Sequence, residues 1–140
     1  MIAFDSSVMV AALRSTDERH HAALRSVHGA LEAPEGSILP VHSLVETYSV
    51  MTRMPRPHRM NPADAIVLLR KTFGSSKLAP FKARSLWPLL DDLAGADLGG
   101  GLTYDAIILK SAEDAGATVL LTWNKRDYER LSPRIEIRTP

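Results

Sequence analysis

Four acidic residues occupy positions from which carboxylates can act together. Asp5 closes a short apolar run, Ile2-Ala3-Phe4. Glu46 follows a second apolar run, Ser37 to Val41, by a few residues. Asp105 and Asp127 bracket the stretch LTYDAIILKSAEDAGATVLLTWNKRDYERL, Leu102 to Leu131, which reads as a helix, a turn, a buried strand and a polar loop. If the apolar runs are parallel strands, all four acids fall at or near the carboxyl edge of one sheet, where open α/β sheets bind ligands. Carboxylates gathered there raise each other's pKa unless a cation holds them. Oxygen donors alone, with no cysteine and no well-placed histidine pair, suit Mg²⁺ or Mn²⁺. Such an ion activates water and stabilises the displaced oxygen in phosphoryl chemistry.

Each acid also has a structural explanation. Asp5 can be an N-cap of the helix that follows, as can Ser6 or Ser7. Ser43-Leu44-Val45-Glu46 reads as a capping box, placing Glu46 in the first turn of its helix. Asp105 gains from the dipole of a helix capped by Thr103, and Asp127 can cap the turn before Tyr128. Asp5 is the hardest to explain this way, because an acid closing an apolar strand has few structural reasons to be there. Their joint placement carries more information than any one of them.

The elements that must position these acids follow from periodicity and punctuation. Met1 to Phe4 is the first strand, and Asp5-Ser6-Ser7 starts a helix through Leu13. Thr16 or Asp17 opens a second helix, with Ala22, Ala23, Val27, Ala30 and Leu31 inward. Ser37 to Val41 is the second strand, and His42-Ser43 begins a helix that Pro55 and Pro57 end. Asn61-Pro62 starts the next. Lys77 to Phe81 is a weak third strand. Lys82 to Leu93 is helical, with Pro88 marking a break or a short leading turn. Gly116 stops the Thr103 helix, Thr118 to Leu121 is a strand covered on both faces, and Ile135-Glu136-Ile137 is an edge strand. Alternating strands and helices predict an α/β fold, a three-layer α/β/α sandwich around a small, mainly parallel sheet.

A chain of 140 residues, 45% hydrophobic and 24% charged, is expected to form a single domain over 1–140. No apolar run approaches the roughly 18 residues of a membrane span, and MIAFDSS lacks the pattern of a signal peptide. No disulfide is possible, which is compatible with the cytoplasm. From Arg53 to Arg84 there are eight Lys or Arg against one acid, Asp64, although the whole chain carries only +1. Such asymmetry marks either a basic face for a polyanion or a solvated helical face. Arg53, Arg56 and Arg59 are its candidates for phosphate contacts.

Four blocks in order resemble the PIN-domain ribonucleases of the VapC toxin type. These are Ile2-Ala3-Phe4-Asp5-Ser6-Ser7, then Ser43-x-x-Glu46, then Gly-Gly-x-Thr-Tyr-Asp105-Ala-Ile-Ile, and finally Leu121-Thr-Trp-Asn124-Lys-Arg-Asp127-Tyr. The resemblance spans essentially the whole chain. It implies a metal-dependent endoribonuclease, the toxin of a type II toxin–antitoxin pair, that cleaves RNA with a metal-activated water. Asp5, Glu46 and Asp105 carry over as metal-binding, catalytic acids. Asp127 stands as the fourth, with Asn124 holding the position where some members have Asp. Ser6, Thr122 and Asn124 carry over as supporting residues. An antitoxin partner and a homodimer are implied as well, the latter through the apolar helices before Gly74 and around Trp87.

Other features weigh less. His20-His21 reads as a surface pair, since adjacent helical residues do not share a face. Asp91-Asp92 reads as a solvated helix face. Gly99-Gly100-Gly101 lacks the phosphate-loop pattern. Trp87 suits a core or a dimer interface, and Trp123 is equally suited to packing and to base stacking. A phosphoacceptor signalling domain would want two adjacent acids after the first strand, where Ser6-Ser7 stand instead. A PIN-like module that binds RNA or protein without turnover is the alternative reading.

Overall fold

The computed structural model describes residues 1–140. Its order is β1 (Ile2–Phe4), α1 (Ser6–Leu13), α2 (His20–Glu32), β2 (Ser37–Pro40), α3 (Val41–Arg53), α4 (Pro62–Phe73), β3 (Lys77–Ala79), a 3₁₀ turn (Ala83–Ser85), α5 (Leu86–Gly95), α6 (Leu102–Asp114), β4 (Val119–Leu121), α7 (Lys125–Glu129) and β5 (Glu136–Arg138). The five strands form one sheet in the order β3-β2-β1-β4-β5. Every pairing is parallel, with Ala3 opposite Leu120 and Phe4 opposite Leu121 at the centre. This is the expected three-layer α/β/α fold, with a sheet that is parallel throughout rather than mainly so.

Successive strand residues point to opposite faces, and each face has its own core. Phe4, Leu39, Val119 and Leu121 join Val8, Met9, Val27, Met51, Leu69 and Phe73 of the first four helices. Ala3, Ile38, Ala79, Leu120 and Ile137 join Ile108, Leu109 and Ala112 of α6 and Tyr128 of α7. Burial on both faces explains why the central strands read as unbroken apolar runs. The chain moves outward from β1 through β2 to β3, then returns to the other side of β1 for β4 and β5. The reversal leaves a crevice between the carboxyl ends of β1 and β4, the topological switch at which open sheets bind ligands.

Several helix starts differ from the sequence expectation. The second helix begins at His20, not at Thr16 or Asp17. The Asp17 carboxylate instead accepts the Arg19 backbone N–H at 2.9 Å, a turn that competes with helix. The third helix starts at Val41 directly after Pro40. Glu46 is therefore its sixth residue, beyond the first turn, and Ser43 is inside the helix. Ser43 Oγ is buried without a hydrogen-bond partner, so the capping box does not form. Thr103 lies inside α6, whose N-cap is Gly101. Gly116 does end that helix, at φ +87°, a left-handed conformation that glycine adopts without strain. Pro88 sits in the first turn of α5, where its missing N–H costs nothing, and the 3₁₀ turn precedes it.

Phe73 of α4 packs on Phe4 of β1 with ring centroids 5.6 Å apart, both fully buried. Phe73→Ala should cost about 3–5 kcal/mol, read from urea unfolding. An unchanged midpoint would contradict this packing.

Candidate active site

Asp5 follows β1 directly and is 1% exposed. Its backbone N–H donates to Leu121 O at 3.0 Å, extending the β1–β4 ladder by one bond and placing Asp5 beside Thr122. Asp5 also caps α1, accepting the Ser7 backbone N–H at 3.4 Å. The capping role open to Asp5 in the sequence is therefore one it fills. Its Oδ2 accepts from Ser7 Oγ at 2.5 Å and from Thr122 Oγ1 at 2.8 Å, and its Oδ1 accepts from Tyr128 OH at 2.9 Å. A buried carboxylate is tolerated only when its oxygens are satisfied in this way.

Glu46 reaches the same edge from the second turn of α3. Ser6 Oγ donates to Glu46 Oε2 at 2.9 Å and lies 3.5 Å from Asp5 Oδ1. Ser6 therefore links two of the acids, while Ser7 and Thr122 hold the third side of the pocket. Asp105 stands in the first turn of α6. Its pKa is pushed up to about 7, first by burial and then by the negative charges of Asp5, Glu46 and Asp127. The four acids are thus within electrostatic reach of one another. None of the ion pairs in the structure involves Asp5, Glu46 or Asp105.

Asp127 is the outlying member. It lies in the first turn of α7, its side chain is about half exposed, and it pairs with Arg130 at 3.8 Å. Asn124 is exposed and its side chain caps nothing. Its backbone N–H donates to Thr122 Oγ1 at 2.9 Å, and its carbonyl accepts from the N–H groups of Asp127 and Tyr128. Asn124 thus shapes the turn that delivers Thr122 and Tyr128 to Asp5.

Two contributors escaped sequence reasoning. Tyr128 is fully buried, and its hydroxyl pKa is driven upward by burial and by the charges of Asp5 and Asp105. It stays a neutral donor. The signal was present: a buried tyrosine hydroxyl needs an acceptor, and the acceptors at this edge are carboxylates. Ser7 reads as a cap alone, yet its hydroxyl donates to Asp5 and accepts the Trp123 N–H at 3.1 Å. Trp123 itself packs against the first core with the Arg19 guanidinium 5.4 Å above its ring, so packing, not an open stacking face, is its role. Trp87 is 73% exposed and not core. Arg53, Arg56 and Arg59 are exposed at and beyond the C-terminus of α3. Arg53 lies about 10 Å further along the helix axis than Glu46, at 1.5 Å per residue.

The donor set fits a hard divalent ion: oxygen-only, convergent and without a cationic side chain among its three inner members. Their mutual influence shows at Asp105, but no three of them stand close enough in this structure to hold one ion.

The raised Asp105 pKa has a definite sign. Folding makes this carboxyl harder to ionise, so the metal-free protein loses stability as pH rises from the ordinary value of 3.8 to about 7. Thermal melts in chelator should decline across that interval, and Asp105→Asn should flatten the decline; parallel profiles would contradict the coupling. Tyr128→Phe removes a donor to a buried charge and should cost about 1.5–3 kcal/mol in urea unfolding. No loss would mean that this hydroxyl does not support Asp5.

Comparison with known proteins places this geometry. The model of the PIN domain matches residues 2–132. Ribonuclease VapC40 of Mycobacterium tuberculosis is 42% identical over 142 residues, covering 99% of this chain and all of the relative. Ribonuclease VapC27 of the same organism is 34% identical over 97% of this chain and 96% of its own length. Among solved structures, M. tuberculosis VapC20, described as a sarcin–ricin loop cleaving toxin, superposes with a TM-score of 0.71 at 18% identity over 92% of this chain and 94% of its own. DNA-bound VapBC from Salmonella typhimurium gives 0.70 at 17% identity, over 99% and 96%. These two likenesses speak to the fold. With the family model matched from residue 2 to residue 132 and curated relatives aligned end to end, the chain belongs to the PIN-domain family, as one of its VapC-type ribonucleases.

Proposed function

We propose that residues 1–140 are one metal-dependent endoribonuclease domain, the toxin of a toxin–antitoxin pair acting in the cytoplasm. The observation that carries this reading is the meeting of Asp5, Glu46 and Asp105 at one sheet edge, Ser6 bridging the first two and no cation paired with any of them, in a chain whose end-to-end relatives are named ribonucleases. Such a cluster is electrostatically unfavourable by itself and gains most from a divalent ion. Asp5, Glu46 and Asp105 would hold Mg²⁺ or Mn²⁺, with Asp127 assisting from the rim. When bound, the ion supplies Lewis acidity, lowering the pKa of water and drawing charge from the phosphodiester.

The chain's own residues do the rest. Thr122, Tyr128 and Ser7 hold the buried Asp5 carboxyl in one orientation. Ser6 orients Glu46 and ties it to the Asp5 end. Asp105 must give up its proton before an ion can load, so affinity should rise through neutral pH. Hydrolysis by water rather than by the ribose 2′-hydroxyl implies products with a 5′-phosphate and a 3′-hydroxyl. A module without turnover has no use for this unneutralised cluster, and the end-to-end relatives are named ribonucleases.

The solved neighbours include VapBC and FitAB complexes, which supports a cognate antitoxin that covers the acidic pocket here. Exposed Ile66 and Val67 on α4 and Leu86 and Trp87 on α5 support a homodimer through those helices.

Incubation with a mixed panel of structured and single-stranded RNAs tests the reading. Cleavage should require Mg²⁺ or Mn²⁺, stop in chelator and leave 5′-phosphate ends. Glu46→Gln and Asp105→Asn should each slow it at least about 100-fold. Intact RNA throughout, or cleavage indifferent to chelator, would overturn the assignment.

A further inference from the structure

Beside the acids in sequence, on the two helices that carry Glu46 and Asp105, two aromatic rings lie parallel and offset. His42, in the first turn of α3, stacks on Tyr104, in the first turn of α6, with centroids 5.4 Å apart and planes 7° from parallel. His42 is one helical turn before Glu46 on α3, and Tyr104 immediately precedes Asp105 on α6. The stack therefore joins the two helix starts that bring these acids together. His42 is half-buried, whereas Tyr104 remains 56% exposed in spite of the stack. Tyr104 makes no side-chain hydrogen bond and is not part of either core. A large aromatic ring held flat against a neighbour, open to solvent and adjacent in sequence to a carboxylate of the pocket, is built to receive another flat ring.

We infer that the His42–Tyr104 stack is a nucleobase platform: one base of a single-stranded RNA lies on Tyr104 and sets the position of its phosphate relative to Asp105 and Glu46. The inference rests on the ribonuclease reading for its choice of ligand. Stacking suits this place because an uncharged ring adds affinity for a base without adding to the charge around the acids. An aromatic face accepts any base and would position the strand without reading its sequence. Tyr104 is then a positioning residue, and His42 acts through it by fixing the plane of its ring.

Fluorescence anisotropy on the full chain tests this, with a labelled single-stranded oligoribonucleotide in Ca²⁺, an ion the same oxygen donors accept. Tyr104→Ala should weaken binding roughly 5- to 100-fold, whereas Tyr104→Phe should stay near wild type. An oligonucleotide abasic throughout should bind wild type and Tyr104→Ala alike. A 2-aminopurine at the stacked position should be quenched by wild type and not by Tyr104→Ala. Equal RNA affinity of Tyr104→Ala and wild type overturns the platform, as does a loss that extends to the abasic strand, or no measurable binding by the wild type. A change in oligomeric state in place of RNA affinity also overturns it, and marks the patch as a protein interface. Cleavage in Mn²⁺ is scored separately. RNA that stacks on Tyr104 but is never cut keeps the platform and removes the nuclease, and cutting that Tyr104→Ala leaves undiminished does the reverse.

Discussion

A carboxylate buried to 1% exposure, with no cation beside it, is the constraint on which the molecule is arranged. Taking such a charge out of water costs several kcal/mol even after relaxation. Three hydroxyls, from Ser7, Thr122 and Tyr128, offset that cost at Asp5. Two of them come from the other end of the chain, more than a hundred residues away. They arrive because β1 and β4 are neighbours, with Phe4 level with Leu121, and because the turn at Asn124 folds Tyr128 back under the sheet edge. The central pairing of the sheet and the satisfaction of one side chain are thus the same event. Losing either exposes the other.

The same arrangement divides the acids into two kinds. Asp5 is held by hydroxyl donors and built into a helix cap. Asp105 is carried on the first turn of α6, partly dried and facing the negative charge of its neighbours. Glu46 lies between them, steadied by Ser6. The pocket thus holds one acid fixed by hydrogen bonds and one perturbed by its neighbours. Preorganisation and ligand demand are therefore supplied by different residues.

Much of this was legible in the sequence, because the strands are short apolar runs and each inner acid follows one or stands at a helix start. The register of acids at one sheet edge, the closing glycine at 116 and the final edge strand all follow from local chemistry. The misplacements have physical causes. Ser43 and Thr103 look like caps by residue type, but the chain enters both helices earlier, after Pro40 and Gly101. Residue type gives the preference, and the preceding strand or loop decides the entry point. Asp17 favoured a turn on its own backbone over opening a helix. Tyr128 and Ser7 were missed because their roles depend on a contact across the chain, which no local pattern records. The His42–Tyr104 stack was invisible for the same reason, since 62 positions separate its members.

The long reach of the Asp5 contacts bears on how such a chain is made. Asp5 is made before Thr122 and Tyr128, which follow it by more than a hundred residues. Until those hydroxyls emerge, the end of β1 has neither its central neighbour nor its donors, and the pocket does not exist. A growing chain therefore lacks the assembled acid cluster until β4 and α7 have followed.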